Sequence, residues 1–280
     1  MKKYLLIAIS MFVVIASFAI FQLIKSNGAE KEITENKQVE KNLPEITDDV
    51  KFDAKVLFVL TSVDKLGDSD KKTGIWLSEL THPYYEFINN KFDVEIVSIK
   101  GGKAPIDNAS FDMTDEENKK FIEENKALLD ATKSIEAVNA KDYKIIYFVG
   151  GHGTMWDFPD NLKVQEITKN IYENEGYVAA VCHGPSALVN VKLSDGTYLI
   201  DNKRMAAFSN SEEKTLKLDN IVPFSLEDKI IDRGAEYSRG EDWSEYVVED
   251  RRLITGQNPA SAKKIATIII EKITGEANEK

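Results

Sequence analysis

A single cysteine, Cys182, stands in 280 residues, which excludes an intramolecular disulfide and every Cys-x-x-Cys metal or redox site. The fold must hold by packing alone. Histidine is nearly as scarce. His82, His152 and His183 are spread along the chain with no HExxH spacing, so no metal site is written into one segment. Positive charge is also in deficit: 36 Lys and Arg face 47 Asp and Glu, for a formal net charge of −11. Nucleic acid is excluded as a natural partner, because its phosphates would be repelled. No internal repeat and no second linker interrupts the chain after residue 50, which predicts one domain over residues 51–275 and a short tail at 276–280.

Long apolar runs occur in one place only. Met1–Lys3 is basic, and Tyr4–Ile24 then runs without a charge until Lys25. About 20 apolar residues suffice to span hydrocarbon, so residues 1–25 read as a membrane anchor, with a signal peptide cleaved after Ala19 as the alternative. The lone cysteine lies too far downstream for a lipobox. The basic N-terminus predicts that this end stays in the cytoplasm, leaving the domain membrane-anchored and extracytoplasmic, or secreted if cleavage occurs. Residues 26–50 are rich in Glu, Lys and Asn, which predicts a flexible polar stalk.

Lys55–Thr61, Asp93–Ile99, Lys144–Val149 and Tyr177–Val181 are short, near-continuous runs of apolar, β-branched and aromatic residues. Such runs suit strands buried on both faces, the mark of a parallel sheet covered by helices. Helical patterns fall between them, at Thr114–Thr132 behind a TDEE start and at Asn161–Asn174. The remainder predicts a hairpin or short strand around Tyr198 and Met205–Phe208, helices near Ser211 and Ser225, a strand pair near Val247 and Leu253, and a last helix over Ala260–Ile273.

The sharpest chemical feature is YVAAVCHGP. A buried strand runs into Cys182, and His183, Gly184 and Pro185 come directly after it. A lone cysteine after an apolar strand is ordinarily a small core hydrophobe. The adjoining HGP argues otherwise, because Gly permits a strained turn and Pro suits a first helical turn. This spacing fits a nucleophile elbow, in which a helix N-terminus would depress the thiol's pKa and the next backbone N–H would face a developing oxyanion. In FVGGHGTMWDFPDN the strand ends in glycines and His152, where backbone amides can approach a ligand. Both segments succeed strand carboxyl ends, where open parallel sheets bind ligands. Glu79 in GIWLSELTHPYYEF, and Glu212 and Glu213 in FSNSEEK, are ordinary helix-start charges when read alone; His82 reads as a packing or capping residue.

Taken in order, GIWLSELTHPYYEF, FVGGHGTMWDFPD, AAVCHGP, FSNSEE and DRRLITGQNPASA resemble the ThiJ/PfpI superfamily in its heat-shock chaperone and glyoxalase III branch, from about Lys55 to Ile273. The resemblance implies a flavodoxin-like, doubly wound, mostly parallel α/β sheet with helices on both faces, related to class I glutamine amidotransferases. It implies Cys182 as nucleophile, His183 as its base, Glu79 as the acid beside the thiol and Glu213 as the residue that orients the histidine, with adjacent Glu212 as the alternative. Gly151, His152, Gly184 and the His183 amide fall in the oxyanion and substrate-binding positions.

The activity implied is a glutathione-independent glyoxalase, a lyase converting methylglyoxal to lactate, in which Glu79 moves a proton between adjacent carbons. That chemistry calls for no metal and no cofactor. The same residues suit a Cys-His-Glu amidase or peptidase, and a third reading is a stress chaperone or redox sensor on the same fold. The partners implied are a small carbonyl substrate and the membrane through the N-terminal helix, with a homodimer left open. Glu79 is expected beside the Cys182 sulfur on neighbouring parallel strands, with its pKa raised.

Overall fold

The computed structural model describes residues 54–278. Seven strands form one sheet in the order β3-β2-β1-β4-β5-β9-β8. They are β1 (Lys55–Leu60), β2 (Asp93–Ser98), β3 (Lys133–Ser134), β4 (Ile145–Phe148), β5 (Tyr177–Val181), β8 (Val247–Asp250) and β9 (Leu253–Gly256). All neighbours run parallel except β8, which pairs antiparallel with β9. The predicted strands are therefore present almost to the residue, in an α/β sheet of the expected kind. Two short strands, β6 (Arg204–Met205) and β7 (Glu236–Tyr237), pair in parallel with each other. The hairpin or short strand expected around Tyr198 and Met205–Phe208 is present as both: Tyr198 bridges antiparallel to Lys192 across a tight turn, the Leu193 amide donating to the Thr197 carbonyl and the Leu199 amide to that of Val191, and β6 is the short strand.

The apolar runs are explained by the pleat. Successive side chains point to opposite faces, so each central strand feeds two cores. Val56, Phe58 and Leu60 enter one with Ile145 and Tyr147; Leu57 and Val59 enter the other with Ile146 and Phe148. The first core is closed by helix α1 (Leu77–Asn89) and the C-terminal helix α8 (Ala262–Asn278), whose Ile265, Ile269 and Ile273 recur every four residues. The second is closed by α5 (Leu162–Glu173), through Val164, Ile167 and Ile171. Helices thus cover both faces, and the loops that matter gather at the strands' carboxyl ends.

The helix expected over Thr114–Thr132 is broken. Asp115 accepts from the Asn118 amide and caps α2 (Glu116–Glu124), Asn125 leaves helical angles, and a single turn, α3 (Ala127–Asp130), comes next. After β4 comes a short turn, α4 (Thr154–Asp157). Its Asp157 ties the two loops together, accepting from Thr61 Oγ1 at 2.8 Å and the Ser62 amide at 2.7 Å. Burial pushes this carboxyl up to about 7. Two further helices, α6 (Asn210–Leu216) and α7 (Leu226–Asp232), precede the antiparallel edge.

The membrane expectation is corrected here. Among the described residues no helix is long and apolar enough to cross a membrane. The longest, α8, turns Lys263, Lys264 and Glu271 outward and buries only its other side. The anchor or signal peptide expected at residues 1–25 and the stalk at 26–50 lie outside the described residues, so a membrane-anchored or secreted placement is not carried further.

Candidate active site

Cys182 is the residue at which β5 stops. Its φ is +59°, a left-handed conformation that a side chain with a Cβ adopts only when the surroundings enforce it. Here they do, since its amide donates to the Gly256 carbonyl and its carbonyl accepts from the Phe208 amide, both at 2.9 Å. The elbow read from CHGP is therefore present. The chain leaves it through a 3-10 helix, Gly184–Leu188, with Pro185 in its first turn, rather than a long α-helix, so little helix dipole reaches the sulfur. Cys182 is also only 3% exposed. Burial, and after it the Glu79 carboxyl beside the sulfur, push the thiol well above its ordinary range, and the His183 amide only partly offsets them. The depressed thiol pKa expected from the sequence is thus overturned: the resting group is a thiol that needs a base.

That base is in place. His183 Nδ1 lies 3.3 Å from Cys182 Sγ, and His183 Nε2 lies 2.8 Å from Glu213 Oε2. Burial, aided by neighbouring His152, holds the His183 ring down at about 4, so the imidazole is neutral at ordinary pH. Glu213 is held well below the usual carboxylate range by the two histidines around it, against its own burial. An ionised Glu213 can only accept, so Nε2 carries the single ring proton and Nδ1 is left with a lone pair facing the thiol. His152 Nε2 donates to the other Glu213 oxygen, Oε1, at 2.9 Å, and its ring lies 4.0 Å from that of His183. Thr154 Oγ1 donates to the carbonyls of Gly151 and His183, binding the two loops together.

Glu79 arrives from the first turn of α1 and is completely buried. Neither carboxyl oxygen has a hydrogen-bond partner of ordinary geometry. Burial drives its pKa well above the carboxylate range, while the nearby Cys182 thiol and Gly150 amide pull it back only in part. An unpaired buried charge is far costlier than a buried neutral acid, so Glu79 holds its proton. A methyl group on Gly150 would sit 2.5 Å from Glu79 Oε2 and 3.0 Å from the Cys182 Cβ. Gly150 is thus the space through which the acid reaches the thiol. The strands of Glu79 and Cys182 are not neighbours as expected, because β4 lies between β1 and β5.

The profile of the DJ-1/PfpI family matches residues 73–272. The chain belongs to the DJ-1/PfpI family. Its relatives include the glutathione-independent glyoxalase HSP31 of Saccharomyces cerevisiae, 37% identical over 78% of this chain and 98% of that protein. Glyoxalase 3 of Candida albicans is 31% identical over 77% and 97%. Among solved structures, the crystal structure of glyoxalase III from Candida albicans superposes with a TM-score of 0.74 at 30% identity, covering 79% of this chain and 98% of that one. The rapid encystment protein of Francisella tularensis superposes at 0.77 and 45% identity, covering 79% and 99%.

In this DJ-1/PfpI chain the structure brings together Cys182, His183, Glu79, Glu213 and His152, and settles which glutamate faces the histidine. Ser209 caps α6 in a capping box with Glu212, which commits Glu212 to the helix start and leaves Glu213 to face His183 and His152. Glu212 is fully buried and accepts four hydrogen bonds: from the Ser209 amide and hydroxyl, the Trp243 amide and Asn258 Nδ2. The S-x-x-E spacing of FSNSEE is the signal that could have assigned it. Gly151 adopts φ +107° against residues 74–76, and a Cβ on Gly184 would lie 2.4 Å from the Phe148 carbonyl, so both positions need glycine for the loops after β4 and β5 to pack closely. His82 is elsewhere, 2.7 Å from Asp115. Sequence reasoning missed Phe208, whose ring lies 4.3 Å from that of His183, and Trp243 beyond it. Among the described residues, His152, His183 and Glu213 have ligand atoms within 4.8 Å of one another. A metal there would break both histidine–glutamate hydrogen bonds.

Proposed function

We propose that this enzyme is a glutathione-independent glyoxalase of the lyase class, converting methylglyoxal to lactate. The observation that carries the reading is the neutral carboxyl of Glu79 buried against the Cys182 thiol, an acid with both oxygens uncommitted where two adjacent substrate carbons would lie. Relatives matched over 97–98% of their own length bear the glyoxalase name at 31–37% identity.

His183 Nδ1 takes the thiol proton while Glu213 steadies the imidazolium that forms. The sulfur adds to the aldehyde carbon and gives a hemithioacetal whose oxygen faces the amides of Gly151 and His183. Glu79 then gives its proton to the ketone oxygen while its other oxygen takes the hydrogen of the first carbon, leaving an enediol. It returns that hydrogen to the second carbon and takes the proton of the first carbon's hydroxyl, so the first carbon ends oxidised as a thioester and the second reduced. Water cleaves the resulting thioester, releasing lactate and restoring the thiol. The substrate supplies both oxidant and reductant.

The test is lactate formation from methylglyoxal by the purified full-length chain without glutathione, beside its Cys182→Ala variant. Lactate from the wild type and none above background from the variant is the expected result. A wild type that forms no lactate, or a variant that retains turnover, overturns the reading.

A further inference from the structure

Trp243 is 46% exposed, and its φ is +64°. An aromatic residue adopts this left-handed conformation only where something holds it. Here three hydrogen bonds do. The Trp243 amide donates to Glu212 Oε1 at 2.9 Å, Asp242 accepts from Ser211 Oγ at 2.6 Å, and the Gly240 amide donates to Gln257 Oε1 at 2.8 Å. The segment joining β7 to β8 is therefore stapled to the start of α6 and to the end of β9, and it presents a large ring to solvent from a fixed backbone. Core packing does not require that arrangement. A preorganised contact for a ligand does.

The ring also has a direction. Its centroid lies 5.8 Å from Phe208, and the Phe208 ring lies 4.3 Å from His183, whose Nδ1 faces the Cys182 sulfur. Trp243 is thus the exposed end of a packed row of rings, behind which Phe208 and His183 are buried up to the reacting thiol.

We propose that Trp243 is a specificity-determining residue: backed by the buried Phe208 ring, its exposed face forms a shelf that receives a flat apolar substituent on a 2-oxoaldehyde, so that aryl-substituted substrates are preferred to methylglyoxal. The inference rests on the glyoxalase reading. With phenylglyoxal the sulfur adds to the aldehyde carbon, that carbon's hydrogen moves to the ketone carbon, and water releases mandelate and the thiol. Stacking between rings supports a preference of about tenfold.

The experiment compares the full-length wild type with Trp243→Ala and Trp243→Phe, using the ratio of kcat/KM for phenylglyoxal to that for methylglyoxal. The expected result is a fall in the ratio of about tenfold in the alanine variant, carried by KM, with most of it recovered by phenylalanine. Loss of both activities by the same factor would mark Trp243 as merely structural and overturn the proposal. Calorimetric binding of mandelate against lactate separates the shelf from the chemistry. A preference for mandelate that Trp243→Ala abolishes supports the shelf even if the wild type turns over neither aldehyde, an outcome in which the glyoxalase reading alone fails. Equal binding of the two acids by the wild type overturns the shelf.

Discussion

At the scale of the residue, the site depends on which of its acids keep protons. Glu213 lies between two imidazoles and is ionised; Glu79 lies against a thiol with no cation near it and is not. In the proposed mechanism, two carboxyl groups of the same chemistry thereby take opposite tasks, one orienting a base and one carrying hydrogen. Glu79→Gln keeps the size and the neutral state but cannot exchange a proton. Turnover of methylglyoxal in this variant should fall by roughly 10² or more, while iodoacetamide still alkylates Cys182 through His183. Wild-type turnover in the glutamine variant would remove Glu79 from the mechanism.

At the scale of the element, the strands were legible because burial on both faces writes a continuous apolar run, as in Lys55–Leu60 and Tyr177–Val181. The elbow was legible because few local structures need a His-Gly-Pro run directly after a cysteine that ends an apolar strand. The break of the Thr114–Thr132 helix at Asn125 was not, since its polar residues continue a helical pattern while tertiary contacts end it. Nor was Trp243, whose importance comes from a hydrogen bond to a residue 31 positions away. The raised thiol pKa escaped for the same reason, being set first by burial and then by a carboxyl that arrives from beyond β1, across β4. The loop after β4 offers a direct check. Gly150→Ala would place a methyl 2.5 Å from both Glu79 Oε2 and the Val181 carbonyl. Overpacking of that kind costs about 1–3 kcal/mol, so thermal unfolding should move down and turnover should collapse, because the acid and the thiol are forced apart. An alanine variant with wild-type melting and activity would show that this contact is not tight.

At the scale of the whole molecule, buried titrations of opposite sign set the pH of greatest stability. The folded chain keeps protons on Glu79 and, up to about pH 7, on Asp157, which the unfolded chain releases near 4.5 and 3.8. Both pKa values are raised by folding, so this stabilisation is full at low pH and is lost as pH rises. His183 works the other way. Its pKa falls from 6.5 to about 4, so its contribution is lost as pH drops through that window. Two groups outweigh one between about pH 4.5 and 6.5, and a net charge of −11 adds self-repulsion that acid relieves. Below about 4.5, carboxylates depressed by their partners, Glu213 and Glu95 among them, reverse the trend. Tm should therefore rise as pH is lowered from 7.5 to 5 and fall below about 4.5, with a flatter rise in Glu79→Gln. A Tm that declines steadily from pH 7.5 to 5 would contradict this balance.

Glu212 and Glu213 are consecutive residues that face opposite ways from one turn of helix: one binds the loop at the mouth, the other the imidazole beside the thiol. The mouth is held through a backbone amide, which every residue except proline possesses. Evolution can therefore rewrite the side chain at position 243 without disturbing the catalytic base, much as a tool holder accepts different bits. A lineage of such enzymes could diversify in diet while inheriting one unaltered engine.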